Sequence, residues 1–156
     1  MSIKEQIDAN LKAALLGGDK FLATTLRGLK GAILNVEIAK GIRDTGLDDQ
    51  AIIELFSKEA KKRQESADMY IQGGSQEKAD AELLEKRIIE QYLPSQISDD
   101  DLQAIVDEVA ETLGGIRKET MGQAIGIVKS RVGATADGGR IAGAVKGKIA
   151  SWFSLM

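Results

Sequence analysis

The side chains that could do chemistry in this 156-residue chain are lysines, arginines and carboxylates, because it holds no histidine and no cysteine. That composition removes imidazole general bases, thiolate zinc sites, disulfides and cysteine nucleophiles together. A zinc enzyme, a cysteine protease and a serine hydrolase triad with histidine are excluded. Lys58, Lys62 and Ser66 stand four residues apart, one helical turn each, and form a candidate phosphate or carboxylate site. Beside them, at roughly 100° per residue, Arg63 falls on a stripe with Ile52, Phe56, Ala60, Ala67 and Tyr70. A guanidinium on an apolar face needs a partner. Arg63 lies ten residues before Gly73 and Glu85 lies eleven after Gly74, so an antiparallel hairpin about that turn brings them together, with Glu82 as the alternative acceptor. Such a pair fixes helix register.

Two acidic runs, Asp48-Asp49 and Asp99-Asp100-Asp101, have the residue types for a hard cation or for acid–base work. Both open predicted helices, where negative charge meets free amide groups and the helix dipole, so capping accounts for them. No EF-hand spacing accompanies either run, and no metal site is expected. Gly114-Gly115 and Gly138-Gly139 fit neither the P-loop nor the dinucleotide-binding frame and follow no strand, so no ATP or other cofactor is expected.

Charge is unevenly distributed. The net charge is only -3, yet residues 97–116 hold six acids and no base, while residues 117–156 hold seven bases against two acids, a local +5. The basic segment contains Met121-Gly122-Gln123-Ala124-Ile125-Gly126-Ile127-Val128, with two glycines four apart in a predicted helix, each costing about 1 kcal/mol against alanine. Tight helix packing explains such a spacing, and Gly143 and Gly147 repeat it on the last helix. The other reading is that the exposed side of this helix, with Lys118, Gln123, Lys129 and Arg131, lies against a nucleic-acid backbone, joined by Arg140, Lys146 and Lys148.

The elements that position these residues are helices. Aromatic residues make up 4% of the chain, and no alternating run is long enough for a strand. Ser2 precedes a stripe of Ile3, Ile7, Leu11 and Leu15 that Gly17-Gly18 ends. Asp19 caps a second helix with Leu22, Leu26, Leu29, Ile33 and Val36, a third runs from near Asp48 to about Ile71, and a fourth from Gln76 to Leu93 with a stripe of Ala81, Leu84, Ile88 and Tyr92. Pro94, the only proline, sets the domain boundary. Beyond it, Ser98 caps a helix whose Leu102, Ile105, Val109 and Leu113 point inward, and two more helices fit at about Thr120–Arg131 and Gly138–Phe153. The fold class is all-α: a domain of about four helices over residues 1–94, then a three-helix bundle over residues 95–156. Trp152 and Phe153 either pack the last helix or expose an apolar contact. With no basic start before an apolar run and no stretch of roughly 18 apolar residues, neither a signal peptide nor a membrane span is expected, and the location expected is cytoplasmic.

Leu26-Arg27-Gly28-Leu29-Lys30-Gly31-Ala32-Ile33-Leu34-Asn35-Val36-Glu37-Ile38, then Lys58 to Ser66, then Glu85 to Pro94, resemble in order and spacing the N-terminal part of the stand-alone YqeY-like proteins. The last third, with Met121-Gly122, Gly126 and Ala136-Asp137-Gly138, is similar to the tail domain of the B subunit of aspartyl/glutamyl-tRNA amidotransferase. Together these segments resemble the GatB/YqeY family. The resemblance implies a helical domain joined to a three-helix tail that touches tRNA, and a connection with glutamine-fed amidation of misacylated tRNA. The large domain that activates the carboxylate is absent from this chain. The family pattern carries Lys where Gln123 stands and Met where Ile125 stands. Three functions follow: a non-catalytic accessory protein binding tRNA or a tRNA-amidotransferase or synthetase complex; a protein–protein interaction module engaging a partner through the acidic helix or the hairpin; and a carbon–nitrogen ligase with glutamine as amide donor.

Overall fold

A computed structural model describes the backbone of residues 1–155 and the side chains of residues 1–150. Its described residues form seven α-helices and two short 3-10 turns, with no strand among them. The chain divides into two compact units, Met1–Leu93 and Pro94–Met156. The side chains of Trp152 and Phe153 lie outside the described residues.

In the first unit, α1 (Ile3–Leu16) starts where the Ser2 hydroxyl accepts the Glu5 N–H at 3.2 Å. Ile3, Ile7 and Ala14 are buried, whereas Leu15 is 51% exposed. A strict four-residue spacing drifts about 40° per step on a 3.6-residue helix, so by Leu15 the predicted stripe has turned off the core and Ala14 takes its place. Helix α2 (Lys20–Lys40), capped by Asp19, buries Leu26, Leu29, Ile33 and Glu37. Helix α3 (Asp49–Gln72) is capped by Asp48, whose carboxylate accepts the Ala51 N–H at 2.8 Å, while Asp49 accepts the Ile3 N–H at 3.0 Å and so ties the start of α1 to the start of α3.

Helix α4 (Gln76–Glu90) ends before Leu93. The Tyr92 and Leu93 N–H groups bond to the carbonyls of Ile89 and Glu90, three residues back, so the chain tightens ahead of Pro94 rather than completing an α-turn. Of the predicted stripe on α4, Ile88 and Tyr92 are buried, but Ala81 is exposed and Leu84 is 44% exposed; Ala79 and Ile89 are fully buried instead. Residues of α1 and α2 join Phe56, Ile88, Ile89 and Tyr92 in one core at the base of the α3–α4 hairpin. Phe56 meets the Tyr92 ring edge-on at 5.9 Å, and the Tyr92 hydroxyl accepts the Asn10 amide at 2.7 Å.

The second unit packs α5 (Asp99–Thr112), α6 (Met121–Val132) and α7 (Gly138–Leu155) around Leu102, Val106, Val109, Ile116, Ala124, Val128, Ile141 and Val145. Ser98 caps α5 by accepting the Asp101 N–H. Val106 is the deeper residue, and Ile105 and Leu113, expected inward, are partly buried at the edge. Residues 118–120 form a 3-10 turn ahead of α6 rather than its first turn, with the Arg117 N–H and the Thr120 hydroxyl closing it at 2.9 Å. No helix among the described residues is long and apolar enough to cross a membrane.

Candidate nucleic-acid interface

The α3–α4 hairpin brings the expected charge partners within reach. Arg63 places one guanidinium nitrogen 2.6 Å from Glu59 on its own helix and Nε 3.5 Å from Glu85 across the hairpin. Glu85 therefore shares Arg63 with a neighbour one turn away, and Glu82 makes no ion pair with it among the described residues. Burial pushes the Glu85 carboxyl above the usual glutamate range, and Arg63 opposes that shift only partly. Lys86 donates to the Gln64 side chain at 2.8 Å, a second polar link across the hairpin. Of the candidate anion trio, Lys58 and Lys62 are exposed, Lys62 lying 3.4 Å from Glu59, and Ser66 is half-buried.

The seven positions of the candidate basic surface fall into two classes. Arg131, Arg140 and Lys148 are engaged by acids of α5: Arg131 with Glu108 at 2.6 Å, Arg140 with Asp99 at 2.8 Å, and Lys148 with Asp107 at 3.0 Å. Arg140 also donates to the Ile97 carbonyl at 2.8 Å. A hydrogen bond from Gln103, reinforced by Lys148, holds the Asp107 carboxyl below the usual aspartate range. Lys118, Gln123, Lys129 and Lys146, by contrast, are exposed and have no acidic partner among the described residues. The seven positions read as one basic surface are thus a free set and a set neutralised within the unit.

The glycines correct the packing argument. Gly122, Gly126, Gly143 and Gly147 are all exposed, and a Cβ built at any of them would meet nothing within 4 Å. No neighbouring helix approaches closely there, so these residues leave bare backbone on the outside of α6 and α7. Gly122 and Gly126 belong to a pattern that is duplicated. Gly122-x-x-x-Gly126-x-Val128-Lys129 in α6 recurs seventeen residues later as Gly139-x-x-x-Gly143-x-Val145-Lys146 in α7. Both valines are fully buried and both lysines exposed. At 100° per residue the two glycines and the lysine of each copy share one outer stripe. Gly139 differs in that a Cβ there would stand 3.2 Å from Asp137 Oδ1, but from Gly122 to Lys129 and from Gly143 to Lys146 each helix presents bare backbone ending in a cation, which is what close approach by a phosphate backbone needs.

Among the described residues no cluster of acidic side chains could hold a metal ion. Asp48 and Asp49 act as caps and Asp99 as an ion-pair acceptor. A cleft of about 300 Å³ between α1 and α2, floored by Ile7 and Ile33, has its rim charges matched as Lys4 with Glu37 and Lys30 with Asp8. Glu37 is buried; Lys4, with the Leu47 N–H at 2.8 Å, holds its carboxyl below the usual range.

Residues 4–149 match the family model of the YqeY-like protein. Altered inheritance of mitochondria protein 41, mitochondrial, of Eremothecium gossypii is 36% identical over 84 residues, 54% of this chain and 45% of that protein. The protein of the same name from Vanderwaltozyma polyspora is 31% identical over 86 residues, 55% of this chain and 45% of that protein. The one from Lachancea thermotolerans is 33% identical over 84 residues, 54% of this chain and 44% of that protein. The chain spans less than half the length of these relatives.

Proposed function

From a chain that belongs to the YqeY-like family, we propose a non-catalytic accessory protein whose C-terminal unit binds tRNA, alone or within a tRNA-amidotransferase or synthetase complex. The observation that supports this most is the pair of outer stripes on α6 and α7, where exposed glycines adjoin Lys129 and Lys146, with Lys118 close in sequence. Phosphate contacts supply affinity in this reading, with little base stacking in a chain of 4% aromatic residues. The similarity of the last third to the tail of the amidotransferase B subunit favours tRNA over other RNA. Carbon–nitrogen ligase activity with glutamine as donor is the alternative; glutamine- and ATP-dependent turnover by the purified chain would establish it. The setting is a compartment that holds tRNA, cytoplasmic on the composition or mitochondrial as in the names of the relatives.

Binding of the full chain to total tRNA over a salt series tests the reading. Three phosphate contacts give a log–log slope of about −2 to −3, and Lys118→Glu with Lys129→Glu and Lys146→Glu should abolish binding while helicity is kept. A wild type that does not bind at low salt, or a triple variant that binds as well as wild type, overturns it.

A further inference from the structure

Each copy of the duplicated motif carries a second cation two residues after its lysine, Arg131 in α6 and Lys148 in α7. Two residues turn a helix by about 200°, so each second cation lies far round from its motif lysine. Both meet α5, where consecutive residues accept them: Glu108 takes Arg131 at 2.6 Å and Asp107 takes Lys148 at 3.0 Å. Asp99, the first residue of the same helix, takes Arg140 at 2.8 Å. Acids and cations thus correspond across both flanks of α5, a helix that carries no base.

We propose that α5 is an internal electrostatic guard, its Asp99, Asp107 and Glu108 carboxylates occupying Arg140, Lys148 and Arg131 in place of RNA phosphates and leaving Lys118, Lys129 and Lys146, beside exposed Arg117, for contact. The inference rests on the RNA-binding reading above and adds its regulation. The pairs are partly solvent-exposed, and such pairs are weak enough for a phosphate oxygen to compete with. Anything that neutralises or covers the acidic face of α5 then enlarges the RNA-contact surface without moving a helix.

The test compares two triple variants of equal net charge in the full chain. One is Asp99→Asn with Asp107→Asn and Glu108→Gln; the other, Asp100→Asn with Asp101→Asn and Glu111→Gln, removes exposed acids of the same helix that make no ion pair among the described residues. The first should bind total tRNA about tenfold more tightly than the second at equal salt, with a log–log slope steeper than wild type by about two to three. A double-mutant cycle separates guarding from general charge or altered folding: Glu108→Gln should tighten binding about threefold with Arg131 present and leave it unchanged in an Arg131→Gln background. Equal affinities for the two triples, or an equal effect of Glu108→Gln in both backgrounds, overturn the guard and leave RNA binding standing. Absence of binding by wild type and all variants at low salt overturns the RNA reading and the guard with it.

Discussion

In the first unit Gly46 adopts φ +75°, and a Cβ there would stand 2.6 Å from Lys4 Nζ and 3.0 Å from Glu37 Oε2; in the second, Gly126 and Gly143 sit in helices, exposed, with open space where a Cβ would project. The fold requires the first. Gly46 is where the α2–α3 connection passes beside the ion pair of Lys4 with buried Glu37, and Glu37 then accepts the Leu47 N–H to hold the loop. The fold would be better off without the others, because glycine inside a helix loses more conformational freedom than alanine. Glycines that the structure needs and glycines that it bears point to different pressures, and the second kind coincides with the free lysines.

Replacing Gly46 should have the largest effect. An alanine at this positive φ costs about 1–3 kcal/mol, and Lys4 must move from Glu37 to make room, so Gly46→Ala should lower the urea midpoint clearly. An unchanged midpoint would remove Gly46 from the comparison. The opposite sign is expected next in size: Gly126→Ala and Gly143→Ala should each stabilise by about 0.5–1 kcal/mol. If the bare backbone is what RNA approaches, the same two substitutions should weaken tRNA binding, so that stability and affinity move in opposite directions. Gains in both would mean that these glycines serve neither the fold nor the contact.

Most of the fold was legible because the signals were local. Ser2, Asp19, Asp48 and Ser98 each accept the backbone N–H three residues on, and Pro94 stands at the division between the units. What failed depends on how much of a helix the tertiary structure covers. Ala81 and Leu84 continue the apolar stripe of Ile88 and Tyr92 but extend past the core that α1 and α2 complete, so periodicity alone overstates their burial. The basic surface suffered a related error. A count of seven bases over forty residues is correct, yet three are matched by acids 23 to 41 residues earlier, and helix pairing decides which three. The duplicated motif was readable throughout, since its glycine, valine and lysine positions repeat without a gap.

Two carboxyls in the first unit, buried Glu37 and half-buried Glu85, should produce the smallest effect and the most specific one, because their shifts have opposite signs. The Glu37 carboxyl, held down by Lys4 and the Leu47 N–H, contributes stability that is present above the ordinary glutamate pKa and is lost as pH falls through its lowered value. The Glu85 carboxyl is raised by burial, so the folded state binds its proton more readily than the unfolded state does, and stability should increase as pH falls through the raised value toward the ordinary one. Glu85→Gln removes that second contribution and keeps the Arg63–Glu59 pair at 2.6 Å. Since Glu85 is partly exposed, the variant should match or exceed wild-type stability at pH 7 by no more than about 1 kcal/mol, with the difference closing near pH 4. Urea unfolding at both values decides it. A variant that loses stability at pH 7 and regains it in acid would show Glu85 to be a stabilising partner of Arg63 like Glu37 of Lys4, and the two seams of the unit would then work by the same electrostatics.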